Sequence, residues 1–119
     1  MARNAPTIDA YGDGGFRLAG ARHEGSVLIL SDEARRWDVA SFDQLSLAAL
    51  QPVLDAGAAE VEFVLLGVGA RNAMPPREIR ESLRAAGIGL EFMDTPAAAK
   101  LYNLLTSEGR KVAAALIAV

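Results

Sequence analysis

Two short stretches carry the residue types that could hold a ligand. The first is Gly67-Val68-Gly69 with Arg71 just beyond it, and the second is Met93-Asp94-Thr95 leading into a helical pattern. Glycines at the end of an apolar strand let a backbone approach a ligand closely. A helix N-terminus offers free N–H groups and a partial positive charge, and an arginine adds a two-pronged grip on a carboxylate or phosphate. The chemistry implied is anion binding in a crevice made of Gly67, Gly69, Arg71, Asp94 and Thr95, with Tyr102 and Asn103 on the following helix as further candidates. The glycine pair lacks the third glycine of a dinucleotide fingerprint and the Lys-Ser/Thr pair of a P-loop. The plain alternative is that Gly67-Val68-Gly69 is a tight turn and that Asp94 and Thr95 cap a helix.

Other chemistries are excluded by what the chain lacks. It has no cysteine, so disulfides, thiolate nucleophiles and Cys-ligated zinc or iron–sulfur clusters are out. Its one histidine, His23, leaves no multi-histidine metal site and only one base for a serine triad. His23 reads as an exposed, passive residue of a hairpin turn. Glu60 and Glu62 are two apart and can share a strand face, but nothing near them in sequence would tune either as an acid or base. The reading is therefore no catalytic residues, no metal and no cofactor.

The elements that must position the crevice come from the second half. Residues 61–66 (VEFVLL) read as a buried strand ended by Gly67. Pro75-Pro76 opens a helix reaching residue 86, with Ile79, Leu83 and Ala86 inward and alternating charges outward. Gly87 closes it, and residues 88–93 form the next strand. Thr95 is the expected N-cap of a helix to residue 107, with Pro96 at its first position and Ala97, Leu101, Leu104 and Leu105 inward. Gly109 stops that helix, and residues 112–119 make a last apolar strand. This helix–strand alternation favours parallel neighbours joined by right-handed crossovers. Glu108-Gly109-Arg110-Lys111 reads as a solvated turn, with a charged docking edge as its other use.

The first half reads as hairpins. Strands are expected at residues 8–11, 16–19 and 26–30, the last two joined around residues 20–25, and another at 36–39 containing Trp37. Trp37 is expected to be a core anchor with a bonded indole N–H. Ser46 should cap a helix over 47–56 stopped by Gly57, and Pro52 then demands either a later start or a kink. Residues 1–6 read as a loose end. The whole is expected to be one domain over residues 1–119, a three-layer α/β arrangement of a mixed sheet with helices and an N-terminal β-hairpin layer.

The 119 residues suffice for one core, and at 51% apolar they can fill it. A net charge of −3 disfavours nucleic acid as a partner. No apolar run approaches the roughly 20 residues of a membrane span. The N-terminal stretch lacks the apolar core of a signal peptide, and Asp9 and Asp13 argue against a transit sequence. The expectation is a cytoplasmic, bacterial protein without direct membrane insertion, whose exposed strand edge could support a homodimer.

The run MDTPAAAKLYNLLTSEGRKVAAALI resembles the adipogenesis-associated Mth-like domain family, whose mitochondrial branch includes an assembly factor of respiratory complex I. The resemblance rests on Gly67 and Gly69, Gly87-Ile88, Met93-Asp94-Thr95, Ala98, Tyr102-Asn103, Leu105, Glu108, Arg110 and the alanine-rich final strand. Trp37 and the strand at 26–30 extend it over nearly the whole chain. Val68 and Leu101 stand where the family pattern has threonine, which removes two hydroxyls near the crevice. The resemblance implies a Mth-like fold and a non-catalytic interaction or assembly role. Its partner class would be subunits of a respiratory complex, reached at the inner membrane through a partner. The competing reading is a small-molecule binder or enzyme that uses the crevice.

Overall fold

The computed structural model describes residues 5–119. Its centre is a five-stranded mixed sheet in the order β5-β4-β8-β6-β7. The strands are β4 (Val27–Leu30), β5 (Glu33–Arg36), β6 (Phe63–Gly67), β7 (Gly89–Met93) and β8 (Val112–Leu116). β6 runs parallel to both β7 and β8, while β4 is antiparallel to β8 and β5. β1 (Ile8–Gly12), β2 (Gly15–Leu18) and β3 (Ala21–Glu24) form a separate three-stranded antiparallel meander.

The layers follow from strand alternation. Val64 and Leu66 of β6, Ala113 and Ala115 of β8, and Leu28 and Leu30 of β4 enter one core. Leu65, Ala114, Leu116, Val27 and Ile29 enter the other. Burial on both faces explains why these strands are unbroken apolar runs. The first core is covered by α1 (Gln51–Ala56) and α2 (Arg77–Ala85), the second by α3 (Thr95–Ser107) and the meander. From β6 the chain crosses to β7 on one side, then returns past β6 to β8 on the other. Two crossovers of the same hand in opposite directions must lie on opposite faces, which is where α2 and α3 lie. Ala114 of β8 lets α3 approach closely, with Ala98, Ala99 and Tyr102 packed against that side.

Several expectations shift. The segment 20–25 is not a simple link, because β3 lies within it and pairs with β2. His23 is accordingly a half-buried strand residue, its Nε2 3.0 Å from the Ser26 carbonyl. The strand expected at 36–39 is instead Glu33–Arg36, and Trp37 and Val39 follow it as buried core residues. The Trp37 indole N–H donates to the Ala49 carbonyl at 2.9 Å, as an anchored tryptophan requires. Ser46 accepts from the Ala49 amide, but a 3-10 turn at Ala48–Leu50 precedes α1, so Pro52 falls in the first α turn. Ala86 is exposed, and so is Leu104 at 55%, so neither belongs to an inward stripe. The last strand ends at Leu116. Of the expected loose end, residues 1–4 lie outside the described residues, whereas Ala5 packs against the second core.

Three hairpin turns use two central residues with positive φ: Asp13-Gly14, Ala19-Gly20 and Ser31-Asp32. That geometry matches the right-handed twist of the flanking strands. The Ser31-Asp32 turn adopts it without any glycine.

Candidate functional site

Beyond the carboxyl ends of β6 and β7 lies the point where the following helices diverge to opposite faces of the sheet, the usual ligand position in open α/β sheets. The structure brings Gly67, Gly69, Asp94 and Thr95 together there. Thr95 is completely buried. Its hydroxyl donates to the Ile117 carbonyl at 2.7 Å and accepts from the Gly69 amide at 3.0 Å. Its own amide donates to the Gly69 carbonyl at 2.8 Å. The Ile117 amide donates to the Gly67 carbonyl, and the Val68 amide to the Met93 carbonyl, each at 2.9 Å. One threonine thus closes a hydrogen-bonded latch across the ends of β6, β7 and β8.

The glycines serve this latch. A Cβ on Gly67 would come within 2.9 Å of both Leu116 Cδ2 and Thr95 Oγ1, so the strand end and the helix start touch only because no side chain intervenes. Gly69 turns the chain with φ +111°, a conformation that side chains rarely adopt. The N-cap is Asp94 rather than Thr95: the Asp94 carboxylate accepts from the Ala97 amide at 2.9 Å, and Pro96 takes the second helical position. Both residue types are good caps. The threonine hydroxyl is already spent on Gly69 and Ile117, which leaves the cap to aspartate. The amides of Thr95 and Ala97 are therefore both engaged inside the chain, and Pro96 has none.

The other candidates lie elsewhere. Arg71 is exposed in the loop after the latch. Tyr102 faces the second core about 10 Å along α3 from Thr95, as seven residues of helical rise require. Asn103 clamps the meander: its Oδ1 accepts from the Ile8 amide at 2.9 Å, and its Nδ2 donates to the Ile8 carbonyl at 2.8 Å. This two-way amide pairing imitates a strand neighbour and fixes β1 against α3. Val68 is buried in the first core and Leu101 packs against the second, so both substitute apolar contact for a hydroxyl.

Glu62 and Arg110 form a bidentate pair at 2.7 and 2.9 Å on the surface, with the guanidinium 5.4 Å from the Phe63 ring centre. The hydrogen bonds from Arg110 hold the Glu62 carboxyl below the usual glutamate range. Among the described residues, no cluster of three or more His, Asp or Glu side chains could hold a metal ion, and no helix is long and apolar enough to cross a membrane.

Open space lies away from the latch. A cavity of about 350 Å³ runs between α2 and β7, lined by Arg80, Arg84, Ile88, Leu90 and Phe92 among others. Another, of about 460 Å³, lies beside Trp37, Arg36 and Asp38 near the turn between β1 and β2. In the sequence these stretches read only as a tryptophan anchor and a solvated charged helix face, because a helix flank and a strand edge become a groove only once the strand order is known.

A mixed sheet with helices on both faces, and a meander sharing one of them, defines a Mth938-like α/β domain. The solution structure of a Bordetella pertussis Mth938-like domain has this fold, with a TM-score of 0.82 and 30% identity, covering 99% of this chain and 89% of that one. The chain belongs to the family described as protein of unknown function (DUF498/DUF598), whose pattern matches residues 8–117. An uncharacterized protein of Rhodobacter capsulatus is 44% identical over 92% of this chain and 82% of its own length. The NADH dehydrogenase [ubiquinone] 1 alpha subcomplex assembly factor 3 of Danio rerio is 34% identical over 92% of this chain and 63% of its own length. The chain thus spans less than two thirds of that assembly factor. The crystal structure of an outer membrane protein from Bartonella henselae superposes with a TM-score of 0.89 at 34% identity, covering 100% of this chain and 99% of that one.

Proposed function

We propose that the chain is a non-catalytic interaction factor, a single domain that assists assembly of a respiratory membrane complex by binding its subunits. It works from the cytoplasmic side and reaches the membrane only through its partner. The observation that carries this reading is the latch: the Thr95 hydroxyl, the Gly69 and Ala97 amides and the Thr95 amide are all bonded within the chain. An anion placed there would have to displace bonds that hold three strands together. The assembly-factor relatives supply the partner class.

The test is affinity purification of the tagged chain from its native host in mild detergent, followed by mass spectrometry. Enrichment of subunits of one respiratory complex is the expected result. A preparation free of such subunits, together with a rise in melting temperature on adding an anionic metabolite, would instead support the crevice reading. Ligand at about 100 times its dissociation constant should add about 2.7 kcal/mol, and Arg71→Ala should abolish that gain.

A further inference from the structure

The outer edge of β7 is the least finished part of the sheet. Among the described residues, β7 pairs only with β6, as the last strand in the order. The Gly89 amide donates to the Glu62 carbonyl, and the Met93 carbonyl accepts from the Val68 amide. Odd-numbered residues of β7 thus turn their main-chain groups inward to β6. The two-residue period of a strand then leaves the N–H and C=O of Leu90 and Phe92 pointing outward. Proteins usually blunt such an edge with charge, proline or a bulge. The opposite edge, β5, is blunted in this way: its sequence is Glu33-Ala34-Arg35-Arg36. β7 carries Leu90 and Phe92, both half-buried, and its single charge is Glu91.

Beside this edge runs the groove of about 350 Å³. Arg80 and Arg84, one helical turn apart, line it together with Ile88, Leu90 and Phe92. The Arg80 Nε donates to the Pro75 carbonyl at 3.1 Å, which holds that guanidinium along the groove. Glu81 is engaged by Arg77 at 2.8 Å. Among the described residues, neither Arg80 nor Arg84 has a carboxylate within ion-pair distance. On a chain of net charge −3, two unpaired arginines beside an open strand edge are a local reversal of sign.

We infer that β7 and the Arg80–Arg84 flank of α2 form a docking site for an extended acidic peptide segment of a partner protein, which adds to the sheet as a sixth strand. The backbone edge would supply the main-chain bonds, and the groove would select side chains. Alternate residues of an added strand would face α2, where glutamate or aspartate meets Arg80 and Arg84. The residues between them would face the side of Glu91, where a carboxylate would be repelled and an apolar β-branched residue suits. A small anion would leave the strand edge unused, and the row of outward backbone groups repeats at strand spacing. This inference rests on the reading of the chain as a protein-binding factor and names the surface and the chemistry of the partner segment.

The test uses the purified full chain and a blocked peptide of about eight residues alternating glutamate with valine, long enough to cover β7. Its controls are the lysine counterpart and a version with proline at alternate positions. Titration by NMR is expected to move the Leu90 and Phe92 amides with the glutamate peptide alone. Joint Arg80→Glu and Arg84→Glu substitution should weaken that peptide at least about tenfold and admit the lysine peptide, with a small fall in melting temperature from the lost Arg80–Pro75 bond and the anion in the last turn of α2. Leu90→Pro, which removes an outward N–H and no bond to β6, should abolish binding. An amide spectrum otherwise like that of the parent would show that the fold survives.

Equal response to peptides of both charges, or no response from Leu90 and Phe92, would overturn the inference. So would binding of phosphatidylglycerol vesicles in place of the peptide, or a dimer whose second copy already covers the edge. If native purification recovers complex subunits equally well with the doubly substituted chain, the interaction reading stands and this site falls.

Discussion

At the carboxyl ends of β6 and β7, polar groups face one another. Along the outer edge of β7, about 10 Å away across the sheet, they face outward. Both regions border β7, and both combine backbone amides with nearby charge. The difference is completion. Thr95, Gly67, Gly69 and Ile117 exhaust one another's hydrogen-bonding capacity in a buried setting. Leu90 and Phe92 leave their outward main-chain groups available beside a groove, next to Arg84 and an Arg80 tied only through Nε to Pro75. A residue pattern that suggests anion binding can therefore be the pattern of a joint, and a stretch with no motif can be the open surface.

The two regions should respond oppositely to substitution. The largest effect belongs to Thr95→Val, which keeps the shape but strips both bonds of the hydroxyl and leaves the half-buried Gly69 amide and the buried Ile117 carbonyl without that partner. Each such group costs about 1–3 kcal/mol, so denaturant titration should show a loss of about 2–4 kcal/mol. Asn103→Ala comes next. It frees the part-buried Ile8 amide and carbonyl from their two-way pairing, and a loss of about 1–2 kcal/mol should accompany faster hydrogen exchange in the meander. At the open flank, Arg84→Ala should change stability by less than about 0.5 kcal/mol in the same titration, because it removes no internal bond.

The smallest effect is the exposed pair of Glu62 with Arg110, which belongs to neither region and serves as a reference. The carboxyl of Glu62 is lowered in the folded chain by its hydrogen bonds to Arg110. A depressed carboxylate contributes stability above its unfolded value and loses it as pH falls through the folded value. The wild type should therefore exceed Glu62→Gln slightly at neutral pH. Unfolding curves should converge below the carboxylate range and also in high salt.

Much of this was legible in the sequence. The three parallel strands could be read because burial on both faces makes β6 and β8 unbroken apolar runs, and the helix ends are marked by Pro76, Pro96, Gly87 and Gly109. The Mth-like resemblance is carried by the same stretch that forms the latch. β3 was hidden because Ala21-Arg22-His23-Glu24 is a polar, largely exposed strand with no alternation to read. The strand assigned around Trp37 was displaced because that tryptophan is buried by a tertiary bond to Ala49, which no local pattern announces. Asp94 and Thr95 are equivalent caps by type, and only the long-range partners Gly69 and Ile117 decide between them. Leu104 fits the period of α3 but lies beyond the edge of what the sheet covers. The β7 edge was invisible for a topological reason: strand order, not strand sequence, determines which strand is last.

Native-state hydrogen exchange tests the contrast most directly, because it reads both regions in one experiment. The account predicts that the Gly69 amide exchanges only through near-global unfolding, while the Leu90 and Phe92 amides exchange close to the rate of an open chain. Fast exchange at Gly69 would mean that the latch opens readily and can admit a ligand. Strong protection at Leu90 and Phe92 in the monomer would mean that the edge is already closed, and either result would contradict the account.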